Sequence, residues 1–240
     1  MRPTAPSASA IAGLVSGRSP GGARTQAPPD LVTERLVLRE LRVSDAAAVA
    51  AGAGDRRVAA YLIQVPSPYP IALARRWVAH RIEWWHHGRG VTFAVTLSHE
   101  PDVLLGTVSL RRYARDRRAE LGYWLAQPVW GRGLATEAAR AVVDFGFRSL
   151  GLVRIYAQVL ADNRASLHVL DKLGMVNEGV KRQHVHKARR LHDVVLYGLL
   201  RDEWSRRCRP SANPITTPTA APIRTPVPSP AAATGRRSTG

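Results

Sequence analysis

Residues 119–151 read AELGYWLAQPVWGRGLATEAARAVVDFGFRSLG. The first part, Ala119–Pro128, has the apolar and aromatic content of a strand and ends on a proline, which cannot extend a ladder. The last part spaces Ala138, Ala141, Val142, Phe145 and Leu150 along one helical face, with Gly151 near its end. Between them, PVWGRGLATEA (Pro128–Ala138) sets two glycines around one arginine where strand hands over to helix. Glycine lets a backbone approach a ligand with no Cβ in the way. A helix N-terminus offers free N–H donors and the positive end of a dipole, which suits phosphate. A glycine pair here also serves as a plain turn. It is neither the longer phosphate loop ending in Lys-Ser/Thr nor the dinucleotide fingerprint. Turn and anion cradle both remain open from this stretch alone.

The surrounding sequence supplies the context. RLVLREL (Arg35–Leu41) alternates as a half-buried strand, and Ser44 is the expected cap of an Ala-rich helix running toward Ala51. Ile71, Ala74, Val78, Ile82 and Trp85 predict a helix that Gly88 stops. VTFAVTL (Val91–Leu97), a turn and Val103–Tyr113 predict a hairpin. After the central helix, VRIYAQVL reads as a buried strand and NRASLHVLDKLG as a short helix with a glycine stop. RRLHDVVLYGLLRDEW supplies the last strand. The order predicts an α/β sandwich on a mixed sheet.

Both ends differ from this middle. Residues 1–30 are rich in Ala, Ser, Pro and Gly, and 207–240 lack acidic residues and apolar periodicity, so both are expected to be disordered tails. Residues 31–206 remain as one domain large enough for a core. Net charge is +17, and 31–206 alone hold 27 basic against 17 acidic residues. A basic surface favours an anionic ligand, nucleic acid or a ribosomal setting. Yet Lys172, Lys181 and Lys187 are the only lysines, so the arginine excess reads mainly as compositional bias. Cys208 is the only cysteine, which excludes a disulfide framework or thiolate metal site and fits a reducing cytoplasm. The N-terminal SASAIAGLVSG has too short an apolar run and too weak a basic flank for an expected signal peptide, and with no run of about twenty apolar residues no membrane span is expected.

Taken in order, GYWLAQPVWGRGLATEA, LGLVRIYAQVLADNRASLHVLDKLGM and RDEW resemble the GNAT superfamily of N-acetyltransferases. The likeness is greatest to its ribosomal-protein alanine acetyltransferase (Rim-type) branch, and it runs from Leu31 to Trp204. It implies an α/β fold with a mixed, mostly antiparallel sheet flanked by helices on both faces. It implies acetyl-CoA as acetyl donor and no metal. The pyrophosphate would lie on amides in Trp130, Gly131, Arg132, Gly133, Leu134, Ala135 and Thr136, with the Arg132 side chain available to the phosphates. The pantetheine arm would lie along Tyr123, Trp124, Leu125 and Ala126, where the strand splays from its neighbour. Pro128 departs from the family's usual Gln or Arg and has no N–H to give.

By the same resemblance, Asn163 contacts the cofactor, and as a residue type it also suits a helix N-cap. Ser166 is the implied general acid near the coenzyme sulfur. The superfamily's usual tyrosine, seven residues after the asparagine, is here Leu170. Glu120 is the implied base, since an ammonium has no lone pair and a carboxylate can accept its proton directly or through water. The plainer reading of Glu120 is a strand carboxylate paired with Arg111, Arg112, Arg115, Arg117 or Arg118. Glu137 is expected to support the turn or cap the helix's first turn. A strand N–H near Trp124 or Leu125 would steady the oxyanion.

Weaker signals remain. Tyr69, between two prolines, is assigned to the acceptor pocket. His184, His186, His192 and Asp193 lack the partners of a metal site and read as exposed groups of a substrate-side loop. Trp84-Trp85-His86-His87 reads as core or edge packing. The expected acceptor is a protein N-terminus, with a small-molecule amine or antibiotic as the alternative. Ribosome association and a monomeric or homodimeric state go with that branch. The rival of another class is a non-catalytic ribosome- or nucleic-acid-associated module.

Overall fold

The computed structural model describes residues 26–208; most of both expected tails, 1–25 and 209–240, lies outside the described residues. Its eight strands are β1 (Leu31–Val32), β2 (Leu36–Glu40), β3 (Gly90–Leu97), β4 (Gly106–Tyr113), β5 (Arg118–Leu125), β6 (Arg154–Leu160), β7 (Val176–Lys187) and β8 (Arg190–Leu200). The helices are α1 (Ala46–Gly54), α2 (Arg56–Ala59), α3 (Ile71–His86), α4 (Leu134–Arg148), α5 (Arg164–Leu173) and α6 (Arg201–Cys208). One sheet of order β1-β2-β3-β4-β5-β6-β8-β7 joins them, antiparallel throughout except between β5 and β6.

Period-two alternation sorts the strand residues onto two faces. Leu36, Leu38, Phe93, Val95, Val108, Leu110, Leu121 and Ile155 point one way and are buried under α4 through Val142 and Val143. Ala94 and Trp124 point the other way, against Val49 of α1 and Val78 of α3. VTFAVTL is therefore apolar without alternation because β3 is covered on both faces. Trp204 of α6 closes the first layer, its Nε1 donating to Asp144 Oδ1 at 3.0 Å.

Four local expectations change. Ser44 does not cap α1: a 3-10 turn, Val43–Asp45, precedes it, and the Asp45 carboxylate accepts from the Arg42 amide at 2.7 Å. Asp45 also holds buried Arg39 through two bonds of 2.9 and 2.8 Å, a role that a serine hydroxyl could not fill. The second strand of the hairpin starts at Gly106, not Val103. His184 and His186 lie on a strand, β7, rather than in a loop, and His192 lies on β8. β7 is an edge strand with almost no buried residue, so no apolar alternation marks it. The final segment breaks at Arg201 into α6, whose first turn carries Asp202 and Glu203; the Glu203 carboxylate accepts from the Leu200 amide at 2.9 Å.

Candidate functional site

β5 and β6 pair over only three positions, Arg118–Arg154, Ala119–Ile155 and Glu120–Tyr156. Beyond Glu120, β5 stays with β4 as far as Leu125 and β6 stays with β8 as far as Leu160, so the sheet opens between them. Tyr123 reaches across to α5, where its hydroxyl donates to the Ser166 carbonyl at 3.2 Å. Burial pushes the Tyr123 phenol up to about 12, against the opposing pull of that contact with Ser166, so it stays protonated.

At the end of β5 the chain turns sharply. The Trp130 indole donates to the Leu125 carbonyl at 2.7 Å and ties the turn to the strand it leaves. Gly131 and Gly133 have φ of 74° and 77°, where a Cβ is strained. Gly133 is the N-cap of α4 and brings no side chain to its first amides. Among the described residues, the amides of Gly131 through Thr136 find no acceptor. Leu134 is buried, so only its backbone faces the turn, while the Arg132 side chain is exposed.

Glu137 fixes this turn from below. Its carboxylate accepts from the Thr33 hydroxyl at 2.6 Å, the Arg35 amide at 2.9 Å and Arg35 Nε at 2.7 Å. Arg35 Nη1 also donates to the Arg132 carbonyl at 3.0 Å, bridging the turn's centre to the same carboxylate. Burial works against the Glu137 charge, but the Thr33 and Arg35 bonds outweigh it and hold its pKa below the usual glutamate value. The expected supporting role of Glu137 is what the structure shows.

Across the opening, Asn163 caps α5 by accepting from the Ser166 amide at 3.2 Å, and its Nδ2 donates to Ser166 Oγ at 3.0 Å. Asn163, Ser166 and Tyr123 thus form one cluster on the α4–α5 face. Glu120 projects from the opposite face of β5. Its carboxylate accepts from Gln158 Nε2 at 3.3 Å, and none of the five neighbouring arginines pairs with it. Gln158 Oε1 in turn accepts from Lys181 Nζ at 3.1 Å.

Around Glu120 the face is aromatic and cationic. The Arg81 guanidinium lies 3.8 Å above the Trp84 ring and 5.3 Å from Trp77. Arg111, paired with Glu120 across β4–β5, lies 6.0 Å from the same Trp84 ring. Arg118, bound to Asp116 at 3.0 Å, lies 4.9 and 5.7 Å from Tyr113 and Tyr156. Burial, Tyr113 and the Glu120 charge all raise the Tyr156 pKa. Trp124 belongs to this face too, packed so tightly on α1 that a Cβ on Gly52 would lie 2.8 Å from its ring. Its indole therefore faces away from the Tyr123–Ser166 cluster.

Tyr69 lines a cleft of about 460 Å³ with Gln64, Pro66, Leu73, Arg76, Trp77 and His80. Lys187, near the tip of the β7–β8 hairpin, donates to the Leu62 carbonyl at 2.7 Å and tethers the loop that precedes Tyr69. Trp85, by contrast, is buried and donates to the Gln26 carbonyl at 2.6 Å. Among the described residues no three His, Cys, Asp or Glu gather as a metal site; His192 lies 3.6 Å from Asp162. No described helix is long and apolar enough to cross a membrane.

Sequence reading did not single out Gln158, Lys181, Arg81 or Arg35. Gln158 had a signal: in Arg154–Leu160, Arg154, Tyr156 and Gln158 alternate with Ile155, Ala157 and Val159, which marks a polar face on a strand read as buried. Arg81 lies one turn before Trp85 on α3 and carries no such mark. Arg35 meets its partner 102 residues away, a contact with no local signature.

Comparison with known proteins agrees with this geometry. The family described as acetyltransferase (GNAT) domain matches residues 35–176. An uncharacterized N-acetyltransferase of Bacillus licheniformis, p20, is 32% identical over 176 residues, 73% of this chain and 98% of the relative. A solved GNAT-family acetyltransferase from Bacillus anthracis superposes with a TM-score of 0.64 at 25% identity, over 73% of this chain and all of that one (100%). RimJ of Mycobacterium smegmatis, solved with CoA-disulfide, shares the fold: TM-score 0.63 at 24% identity, over 70% of this chain and 83% of that one.

Proposed function

Because the chain belongs to the GNAT acetyltransferase family, we propose that it moves an acetyl group from acetyl-CoA to a primary amine, foremost the N-terminal α-amine of a protein. The observation that carries this reading is the run of unsatisfied amides from Gly131 to Thr136, at the positive end of α4 and the mouth of the β5–β6 opening. Donors without acceptors, beside glycines that bare the backbone, fit a pyrophosphate. The opening alongside Tyr123–Ala126 fits a narrow extended arm. RimJ of Mycobacterium smegmatis, which shares the fold, was solved with a coenzyme A disulfide.

In this reading the amides of Gly131–Thr136 and the Arg132 side chain hold the phosphates, the expected Trp130 amide being taken by the Gln127 carbonyl at 3.1 Å, and Asn163 contacts the cofactor at the far side. Acetyl-CoA, when bound, supplies the thioester carbonyl that the amine attacks. Glu120 takes one proton from the ammonium and frees its lone pair, with Gln158 orienting the carboxylate. A β5 amide, Trp124 or Leu125, donates to the carbonyl oxygen as charge gathers there. As the C–N bond forms and the C–S bond breaks, Ser166 gives its hydroxyl proton to the sulfur and recovers one from the acylated nitrogen. No metal enters. Tyr69 lines the acceptor side, 31–206 form the catalytic domain, and its acceptors are cytoplasmic, proteins leaving the ribosome among them.

The test is an acetylation screen that reads free thiol release, run over N-terminal peptides and small amines, beside an acetyl-CoA titration. Submicromolar to micromolar acetyl-CoA affinity with turnover on N-terminal peptides is the expected result. Turnover confined to small amines would replace the acceptor. No acetyl-CoA binding, with salt-sensitive nucleic-acid binding instead, would make the chain a binding module.

A further inference from the structure

The acceptor face carries a positive charge that its own residues do not answer. Arg81 is largely withdrawn from water between Trp77 and Trp84, yet among the described residues no carboxylate lies within ion-pair reach of it. Its Nε is buried and has no hydrogen-bond acceptor. Arg111 approaches the same Trp84 ring from β4, so two like charges share one aromatic platform. Burial first, and then the Arg111 charge, pull the Arg81 pKa down to about 10, which still leaves it charged at neutral pH. The one carboxylate that acts on Arg81 is Glu120, and its Oε1 already takes the Gln158 amide.

A guanidinium stacked without an anion is costly, because Arg81 has lost part of its hydration for nothing but ring contacts, while Arg111 beside it stays exposed and adds a like charge. Such an arrangement gains most from a planar acceptor of two hydrogen bonds, and a carboxylate is one. It is linked to the proposed base by geometry, since the Trp84 ring that carries Arg81 also meets Arg111, which pairs with Glu120 across β4–β5, and Trp77 continues from it into the cleft lined by Tyr69.

We propose that Arg81, seconded by Arg111, recognises a carboxylate on the acceptor, so that the amine reaches Glu120 from molecules in which an acidic group lies within about one residue of it. This inference rests on the acetyltransferase reading above and names the acceptor class for that site. The carboxylate has two sources: the side chain of an Asp or Glu at the first or second position of a protein N-terminus, or the α-carboxylate of a free amino acid. The Arg81 guanidinium binds either in the same way, and neutral or basic acceptors leave it unpaired.

The experiment compares kcat/KM for Ala-Glu, Ala-Gln and Ala-Lys N-terminal hexapeptides, for free glutamate and for its α-amide, on the full chain and on Arg81→Gln, Arg81→Lys and Arg81→Glu. The wild type should favour the acidic peptide over its Gln counterpart by at least tenfold; a preference confined to free glutamate over its amide would assign the α-carboxylate as the source. Arg81→Gln should abolish the preference by raising KM for the acidic acceptor, with the acetyl-CoA Kd within twofold of wild type. Arg81→Lys should restore part of it. Arg81→Glu should invert it toward Ala-Lys, a gain that misfolding cannot produce. Normal acetyl-CoA binding with transfer indifferent to acceptor charge, or with the same preference in every Arg81 variant, would overturn this inference alone. Failure to bind acetyl-CoA, or to acetylate any amine, would overturn the underlying reading and this inference with it.

Discussion

Gln158 donates to Glu120 at 3.3 Å and can face it in only one orientation, because Lys181 occupies its carbonyl oxygen at 3.1 Å. An ammonium only donates and a carboxylate only accepts, so the amide between them has its NH₂ on Glu120 and its oxygen on Lys181. Glu120→Gln should lower kcat by about 10²–10⁴-fold, the range for losing a general base. Gln158→Leu should lower it by about tenfold through lost orientation, with acetyl-CoA Kd unchanged. Steady-state kinetics beside a cofactor titration check both, and equal loss of kcat and affinity in Gln158→Leu would refute a positioning role.

The glycine turn predicts a graded pair. Gly131→Ala meets nothing within 4 Å, so its cost is the left-handed backbone alone, about 1–2 kcal/mol. Gly133→Val carries the same strain, a branched side chain beside the free amides, and the Arg35 guanidinium 3.6 Å from its Cβ. Isothermal titration should show acetyl-CoA affinity falling more for Gly133→Val than for Gly131→Ala, with both proteins folded by circular dichroism. Unchanged affinity in Gly133→Val would remove the turn from the cofactor site.

Ser166 and Tyr123 are two hydroxyls in one cluster, and substitution separates them. Ser166→Ala should depress kcat at least about tenfold with little change in cofactor affinity, since in the proposed mechanism only the step of thiolate departure needs it. Tyr123→Phe loses a hydrogen bond to a backbone carbonyl, about 1 kcal/mol of stability, and should keep most of kcat. The reverse pattern in single-turnover rates would transfer the acid role to Tyr123.

Glu137 gives the turn a pH dependence with a definite sign. Its folded pKa is below its unfolded value, so its contribution is present above the ordinary glutamate pKa of about 4.3 and is lost as pH falls through the folded value. Thermal melts between pH 3 and 6 should show wild-type Tm declining below about pH 4.5, and a shallower decline in Glu137→Gln. At neutral pH that variant should be less stable by about 1–3 kcal/mol, for the Thr33 and Arg35 donors it leaves poorly answered.

The Arg39–Asp45 pair, 4% and 5% exposed, should be the most sensitive ionic contact in the layer under α1 and α3. Asp45→Ala leaves a buried guanidinium without its carboxylate and should cost about 3–5 kcal/mol in urea denaturation. A loss below about 1 kcal/mol would mean that water reaches Arg39 as soon as Asp45 is removed.

What the sequence made legible follows a physical division. β4, β5 and α4 announce themselves because their residues are sorted by burial, which leaves a period in the chain, and β3 by an unbroken apolar run, since both its faces are covered. β7 leaves none: it is stabilised by backbone pairing to β8 while its side chains remain in water. The glycine turn was legible because left-handed backbone restricts residue choice at Gly131 and Gly133 themselves. Arg81, Gln158 and Arg35 were not, since their meaning lies in partners brought close only by the fold: Arg111 across the Trp84 ring from Arg81, Glu120 for Gln158, and Glu137 for Arg35.

The tether of Lys187 to the Leu62 carbonyl, spanning 125 positions of chain, separates the two halves of the molecule's chemistry. In the proposed function the donor side is held mainly by the backbone amides of Gly131–Thr136, which any sequence able to make the turn will supply. The proposed acceptor side instead includes the cleft at Tyr69, and the loop before Tyr69 is stitched to the hairpin tip through Lys187. Rewriting those two segments together would therefore reshape the cleft at Tyr69 and leave the turn at Gly131 and Gly133 in place.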